Sequence, residues 1–147
     1  MQDNIAAFIT WTTYGTWLPG DARGWRKRKA GNQLPRPFLA DWSKKQMKGE
    51  AVLLNQHDRI TVEDACRKHC EHRQWHLFAV NARTNHVHAV VATDKSPQKA
   101  RDQLKANCTH ALRNQTRPLA VEKTWTTGGD CEILDIEAAV LYVLEAQ

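Results

Sequence analysis

No apolar run in this 147-residue chain approaches the length of a membrane span, and no basic stretch near Met1 leads into a hydrophobic one. An embedded or exported protein is therefore not expected, and a cytoplasmic one with no membrane partner is. Only four cysteines occur (Cys66, Cys70, Cys108, Cys131), too sparse for a disulfide-stapled secreted scaffold, so reduced thiols are expected. Cys66, His69 and Cys70 share a helix face in "CRKHCEH", but no second ligand pair lies at zinc-finger spacing. Repeats and low-complexity tracts are absent. Tyrosine is scarce, with Tyr14 and Tyr142 the only two.

What remains is a globular composition, 41% hydrophobic and 25% charged, long enough for one core and one domain over residues 1–147. The net charge of +5 is unevenly spread. Between residues 21 and 50, nine Lys/Arg (Arg23, Arg26, Lys27, Arg28, Lys29, Arg36, Lys44, Lys45, Lys48) face only Asp21, Asp41 and Glu50. A basic segment on a near-neutral body suits either a polyanion partner or a solvated linker.

"NIAAFITWTTYG" (4–15) is β-branched and aromatic, ends in a glycine turn, and predicts the first strand. Residues 16–50 form a basic, irregular insertion after it, without periodicity and with three prolines and three glycines between 16 and 38. Trp17, Trp25 and Trp42 lie among its cations, a mixture suited to phosphate pairing with base stacking, or to pinning the loop. Thr61 is the expected N-cap of a helix carrying Val62, Cys66, His69, Cys70 and Arg73. "QWHLFAVNA" (74–82) predicts a strand that turns at Arg83-Thr84 into a second one. Ser96-Pro97 opens a helix whose core stripe reads Ala100, Leu104, Cys108 and Ala111. "VEKTWTTGGDCEIL" (121–134) predicts one or two strands around Gly128-Gly129, and Asp135 caps a last helix. This order is that of an α+β, ferredoxin-like (split βαβ) antiparallel sheet with helices packed on it.

Two features carry chemistry. In "RTNHVHAVVATD" (83–94), His86, His88 and Val90 point to one face of a strand and Val87, Ala89 and Val91 to the other. The second set is a buried face; the first places two imidazoles side by side. On the last helix, Ile136, Ala139, Val140, Val143 and Leu144 make the apolar stripe, and Tyr142 lies off it between the small Ala138 and Ala146.

An H-x-H on a strand with a tyrosine on the final helix resembles the HUH-type single-tyrosine transposases of small insertion sequences and the REP-associated tyrosine transposases. "NHVHAVV" fits the His-hydrophobe-His motif, and the likeness continues through "QLKANCTHALR", "WTTGGD" and "YVLEAQ". The opening "FITWTTYGTWLPGDARGW" is similar to one branch of the group. The resemblance implies a nuclease domain, usually a homodimer, that cuts and rejoins single-stranded or hairpin DNA. In that scheme His86 and His88 hold Mg²⁺ or Mn²⁺, and Tyr142 becomes joined to a 5′ phosphate. The relatives' third ligand, an amide four residues after the tyrosine, is replaced here by Ala146, which leaves Glu145 or Gln147 to complete the metal site. Arg23, Trp25, Arg26, Lys27, Arg28, Lys29 and Lys105 are the expected DNA contacts. Two other functions fit the same residues: a non-catalytic nucleic-acid-binding domain of this fold, and a small metal-dependent phosphoester hydrolase.

Overall fold

The computed structural model describes residues 5–27, 30–47, 49–119 and 121–135, together with Glu137 and Leu141. The core is built on alternation. In strand β1 (Ile5–Thr12), Ala7, Ile9 and Trp11 are buried on one face, continued by Thr13. Strand β5 (His86–Ala92) lies antiparallel beside it, pairing Trp11 with Val87, Ile9 with Ala89 and Ala7 with Val91. Two amphipathic helices cover that face: α2 (Gln56–Arg73), through Val62, Cys66 and Cys70, and α3 (Pro97–Arg113), through Ala100, Leu104, Cys108 and Leu112. Trp11 meets Trp125 edge-on, with ring centroids 6.1 Å apart.

Strand β4 (His76–Ala82) forms a hairpin with β5, and β6 (Asp130–Asp135) pairs with the far side of β1. The sheet order β4-β5-β1-β6, antiparallel throughout, is the ferredoxin-like arrangement the element order predicts. Because β1 sits between β5 and β6, its outward residues Phe8, Thr10 and Thr12 stand beside Val90, His88 and His86. At one end of this second face Ala6, Phe8 and Val90 bury one another. The histidines occupy the other end.

Several local expectations change. Helix α2 begins earlier than Thr61: Asn55 is its N-cap, in a reciprocal box with Asp58 (Asn55 Oδ1 accepts from Asp58 N at 2.7 Å, Asp58 Oδ2 from Asn55 N at 3.1 Å). The Thr61 hydroxyl instead donates to Gln115 Oε1, whose amide donates to Asp58 Oδ1, tying the start of α2 to the end of α3. In α3 the deepest fourth position is Leu112, with Ala111 partly buried. Ser96 caps α3 as expected, accepting from Lys99 N. Residues 121–134 give a single β-bridge at Trp125 to Thr13 and then β6.

The insertion is more ordered than its lack of periodicity suggests. It contains a short hairpin, β2 (Trp25–Lys27) with β3 (Gly31–Gln33), and helix α1 (Pro37–Lys45). Turn residues hide such short pieces from a periodicity reading. Ile136 and most of the positions after it, Tyr142, Glu145 and Gln147 included, lie outside the described residues, as do Arg28 and Lys29.

Candidate active site and nucleic-acid groove

His86 and His88 reach the same side of β5 because they are two residues apart, and their rings stand 4.6 Å centroid to centroid. Each Nδ1 is anchored. His86 Nδ1 donates to Asn85 Oδ1 at 2.7 Å, and His88 Nδ1 shares a 2.9 Å hydrogen bond with Thr10 Oγ1. Asn85 is fixed in turn, since its carbonyl accepts from both the amide and the hydroxyl of Thr13. Phe8 stacks on His88 with centroids 5.5 Å apart. Burial drives the His88 imidazole down to about 4, helped by the neighbouring His86 and Arg83. His86 is lowered for the same reason, burial first and Arg83 second. Both rings are therefore neutral at pH 7, with a lone pair to offer.

The insertion folds over this end of the sheet. A groove of roughly 960 Å³ runs between them, with Thr10, Thr12, His86 and His88 on its floor, Trp17, Trp25 and Arg26 on its walls, and Asn32, Gln33, Leu34, Thr126 and Asp130 at its margins. Much of the expected DNA-binding set thus comes to the histidines. Arg23 and Trp25 line the groove, and Arg26 reaches across it to an ion pair with Asp130. Arg23 is largely spoken for: its guanidinium holds Asp21 at 2.7 Å, donates to the Thr16 carbonyl and lies 4.0 Å over the Trp17 ring. That hydrogen-bonded pair keeps the Asp21 carboxyl below its ordinary range and the Arg23 cation above its own. Trp17 and Trp25 donate their indole N–H groups to the carbonyls of Gly24 and Leu34, so both tryptophans staple the insertion. Lys27 is exposed at the end of β2.

Lys105 stands apart from the histidines, on the helical side of the sheet. Its ammonium donates to the carbonyls of Thr126 and Gly128 at 2.8 Å and clamps the turn before β6. Burial, then the charge of Arg101, lowers its proton affinity. Cys66 and Cys70 are core residues and His69 bonds Gln103, so "CRKHCEH" is spent on packing. Among the described residues no third His, Cys, Asp or Glu joins His86 and His88 in a metal-binding cluster. Sequence reasoning passed over Thr10 and Asn85, the two residues that orient the imidazoles. The signal was present: Thr10 and Thr12 are the polar positions of an otherwise apolar alternation, and Asn85 directly precedes the motif.

An H-x-H pair on one face of a ferredoxin-like sheet, with a basic insertion folded over it, defines an α+β domain whose polar groove lies between sheet and insertion. The family model described as "Transposase IS200 like" matches residues 46–134, and the chain belongs to that family of transposases. Membership makes DNA its partner. No curated protein matches the chain. Residues 15–45, which hold the hairpin and α1, precede the matched span. No described helix is long and apolar enough to cross a membrane.

Proposed function

We propose that this transposase cuts and rejoins single-stranded DNA in a metal-dependent reaction, with Tyr142 as nucleophile and a 5′-phosphotyrosine as the covalent intermediate. The observation that carries the reading is the pair of anchored, neutral imidazoles on the floor of the groove. This donor set fits a divalent cation. With the Nδ1 atoms held by Asn85 and Thr10, Nε2 is the nitrogen each ring would offer, and the anchors would keep the rings aimed. Glu145 or Gln147 would add the oxygen ligand that Mg²⁺ or Mn²⁺ prefers over an all-imidazole site. Such a cation, when bound, stabilises charge on the non-bridging oxygens of a phosphodiester.

The chain's own residues would do the rest. The groove holds an unpaired strand against the sheet, with hydroxyls and amides for its polar edges and indole walls for its bases. The Tyr142 oxygen attacks phosphorus; the O–P bond forms as the P–O3′ bond breaks, and the phenol proton ends on the released 3′ hydroxyl. The tyrosine ester retains the bond energy, so a second 3′ hydroxyl can reverse the step and join new ends. Hairpin-shaped ends and a homodimer complete the proposal by family resemblance.

A denaturing gel tests it. Labelled single-stranded hairpin oligonucleotides with Mn²⁺ should give a covalent protein–DNA adduct. Tyr142→Phe should bind the same DNA yet yield neither adduct nor cut. A non-catalytic binding domain would retain DNA without any adduct, and a phosphoester hydrolase would cut without one. An adduct formed by Tyr142→Phe moves the nucleophile elsewhere and sinks the mechanism.

A further inference from the structure

We infer that Phe38 and Trp42 on α1 form a two-ring stacking platform for unpaired bases of the strand that leaves the groove. The inference rests on the single-strand reading above and extends it to a surface outside the groove. Phe38 is 92% exposed and Trp42 60%. They lie one helical turn apart, so their Cβ atoms are about 5–6 Å from each other on one face. Lys45 falls on the same side, with Asp41, the one acid of α1, at its border.

Packing fixes this orientation. The inner side of α1 is seated on the loop before it: Ser43, the buried residue of the helix, donates to the Pro19 carbonyl, and Arg36 N donates to the Gly20 carbonyl. A Cβ on Gly20 would lie 2.4 Å from both Ala40 N and Arg36 O, so the backbones meet there directly. The helix cannot roll to hide its rings without breaking those contacts. Trp17 and Trp25 line the groove itself, with their indole N–H groups stapling the insertion. Phe38 and Trp42 are the most exposed aromatics among the described residues of the segment.

Charge and continuity choose the occupant. No acid lies in the first turn of α1, Lys44 and Lys45 occupy the last, and Arg36 precedes it. Rings flanked by cations suit a polyanion whose bases stack while its phosphates pair. Leu34 and Pro35 line the groove, and Phe38 follows Pro35 by three residues, at most about 10 Å of chain. A strand passing Leu34 therefore runs onto the helix.

The test compares oligothymidylates, one just long enough to fill the groove and one that extends beyond it, by fluorescence anisotropy. Phe38→Ala and Trp42→Ala should each weaken the long strand by between about fivefold and a hundredfold, and by much more than the short one. Phe38→Tyr and Trp42→Phe should restore affinity, because a flat ring suffices. Phe38→Leu, which keeps an apolar side chain without the ring, should not. Both positions are exposed, and unchanged melting temperatures will show that the variants fold. Equal affinities for the long strand, or a leucine as good as phenylalanine, overturn the platform. So does a change in the sedimentation of the free protein, which would assign this face to a second copy of the chain. Adduct formation on the labelled hairpin oligonucleotides reads the catalytic proposal separately and survives failure of the platform. Wild-type protein that binds neither oligothymidylate overturns the platform.

Discussion

Gly129→Ala should unfold this domain far more readily than the same change one residue earlier. Gly129 has φ +142°, a conformation that side chains rarely adopt, and a Cβ there would lie 2.4 Å from the Thr10 carbonyl oxygen. Trp11 Cβ and Arg101 Cδ, at 3.3 and 3.1 Å, close the other sides. Thr10 cannot yield cheaply, because its backbone sits mid-sheet between His88 and Asp130. Backbone strain contributes about 1–3 kcal/mol and overpacking about 1–3 kcal/mol more, so the expected loss is about 2–6 kcal/mol. In a chain of this length that lowers the melting temperature by roughly 5–15 °C. Gly128 is the control: its φ is +79°, but nothing lies within 4 Å of an added Cβ, so Gly128→Ala should cost only about 1–2 kcal/mol. Urea unfolding of the two variants side by side is the assay. Equal losses would refute the argument, since the steric contact with Thr10 would then count for nothing. Any movement of Thr10 also drags its hydroxyl from His88, so Gly129→Ala should lose Mn²⁺ affinity as well.

Thr10→Val removes the hydroxyl that anchors His88 at nearly constant volume. It should cost about 1 kcal/mol in stability and weaken Mn²⁺ binding by about 10–100-fold in calorimetry, whereas unaltered affinity would show that the ring needs no anchor. His88 predicts an acid limb in stability. Its folded pKa of about 4 lies below the ordinary 6.5, so the unfolded chain binds the proton more readily, and stability falls as pH drops through that window. The full shift corresponds to about 3.4 kcal/mol, which solvent screening of this half-buried ring reduces to about 1–2 kcal/mol. Urea melts in chelator at several pH values should show that limb in the wild type and a shallower one in His88→Asn; parallel curves would remove the burial effect.

The sheet was legible because its pattern is strict. Val87, Ala89 and Val91 alternate with His86, His88 and Val90, and "FITWTT" alternates in the same way, so the two strands that carry the site declare their faces. What was hidden depends on contacts distant in sequence. Thr10 and His88 are 78 residues apart, and only the register of β1 with β5 brings them together. Thr61 looked like an N-cap because it precedes acidic residues, but the Asn55–Asp58 box captures the helix start one and a half turns earlier. The insertion's charges could be counted, yet not their commitments. Arg23 to Asp21 and Arg26 to Asp130 are both engaged within the fold, as is Lys105 of α3 with two carbonyls. Charge in a sequence measures attraction at a distance; the structure shows how much of it is already neutralised.

The insertion leaves and re-enters the domain at almost one point, where the Val52 amide donates to the Tyr14 carbonyl at 2.8 Å. Beyond that neck, Leu54 N bonds Thr84 O and the chain proceeds into α2 as though nothing intervened. Doubling the length of a loop closed in this way costs only about 0.6 kcal/mol, so the sheet is nearly indifferent to what hangs there. The histidines are held by the paired strands β1 and β5, which lie outside the closed loop. Such a neck makes the insertion a separable part: what is closed at Tyr14 and Val52 can change in length while the hydrogen bonds of the sheet that carries the histidines stay in place.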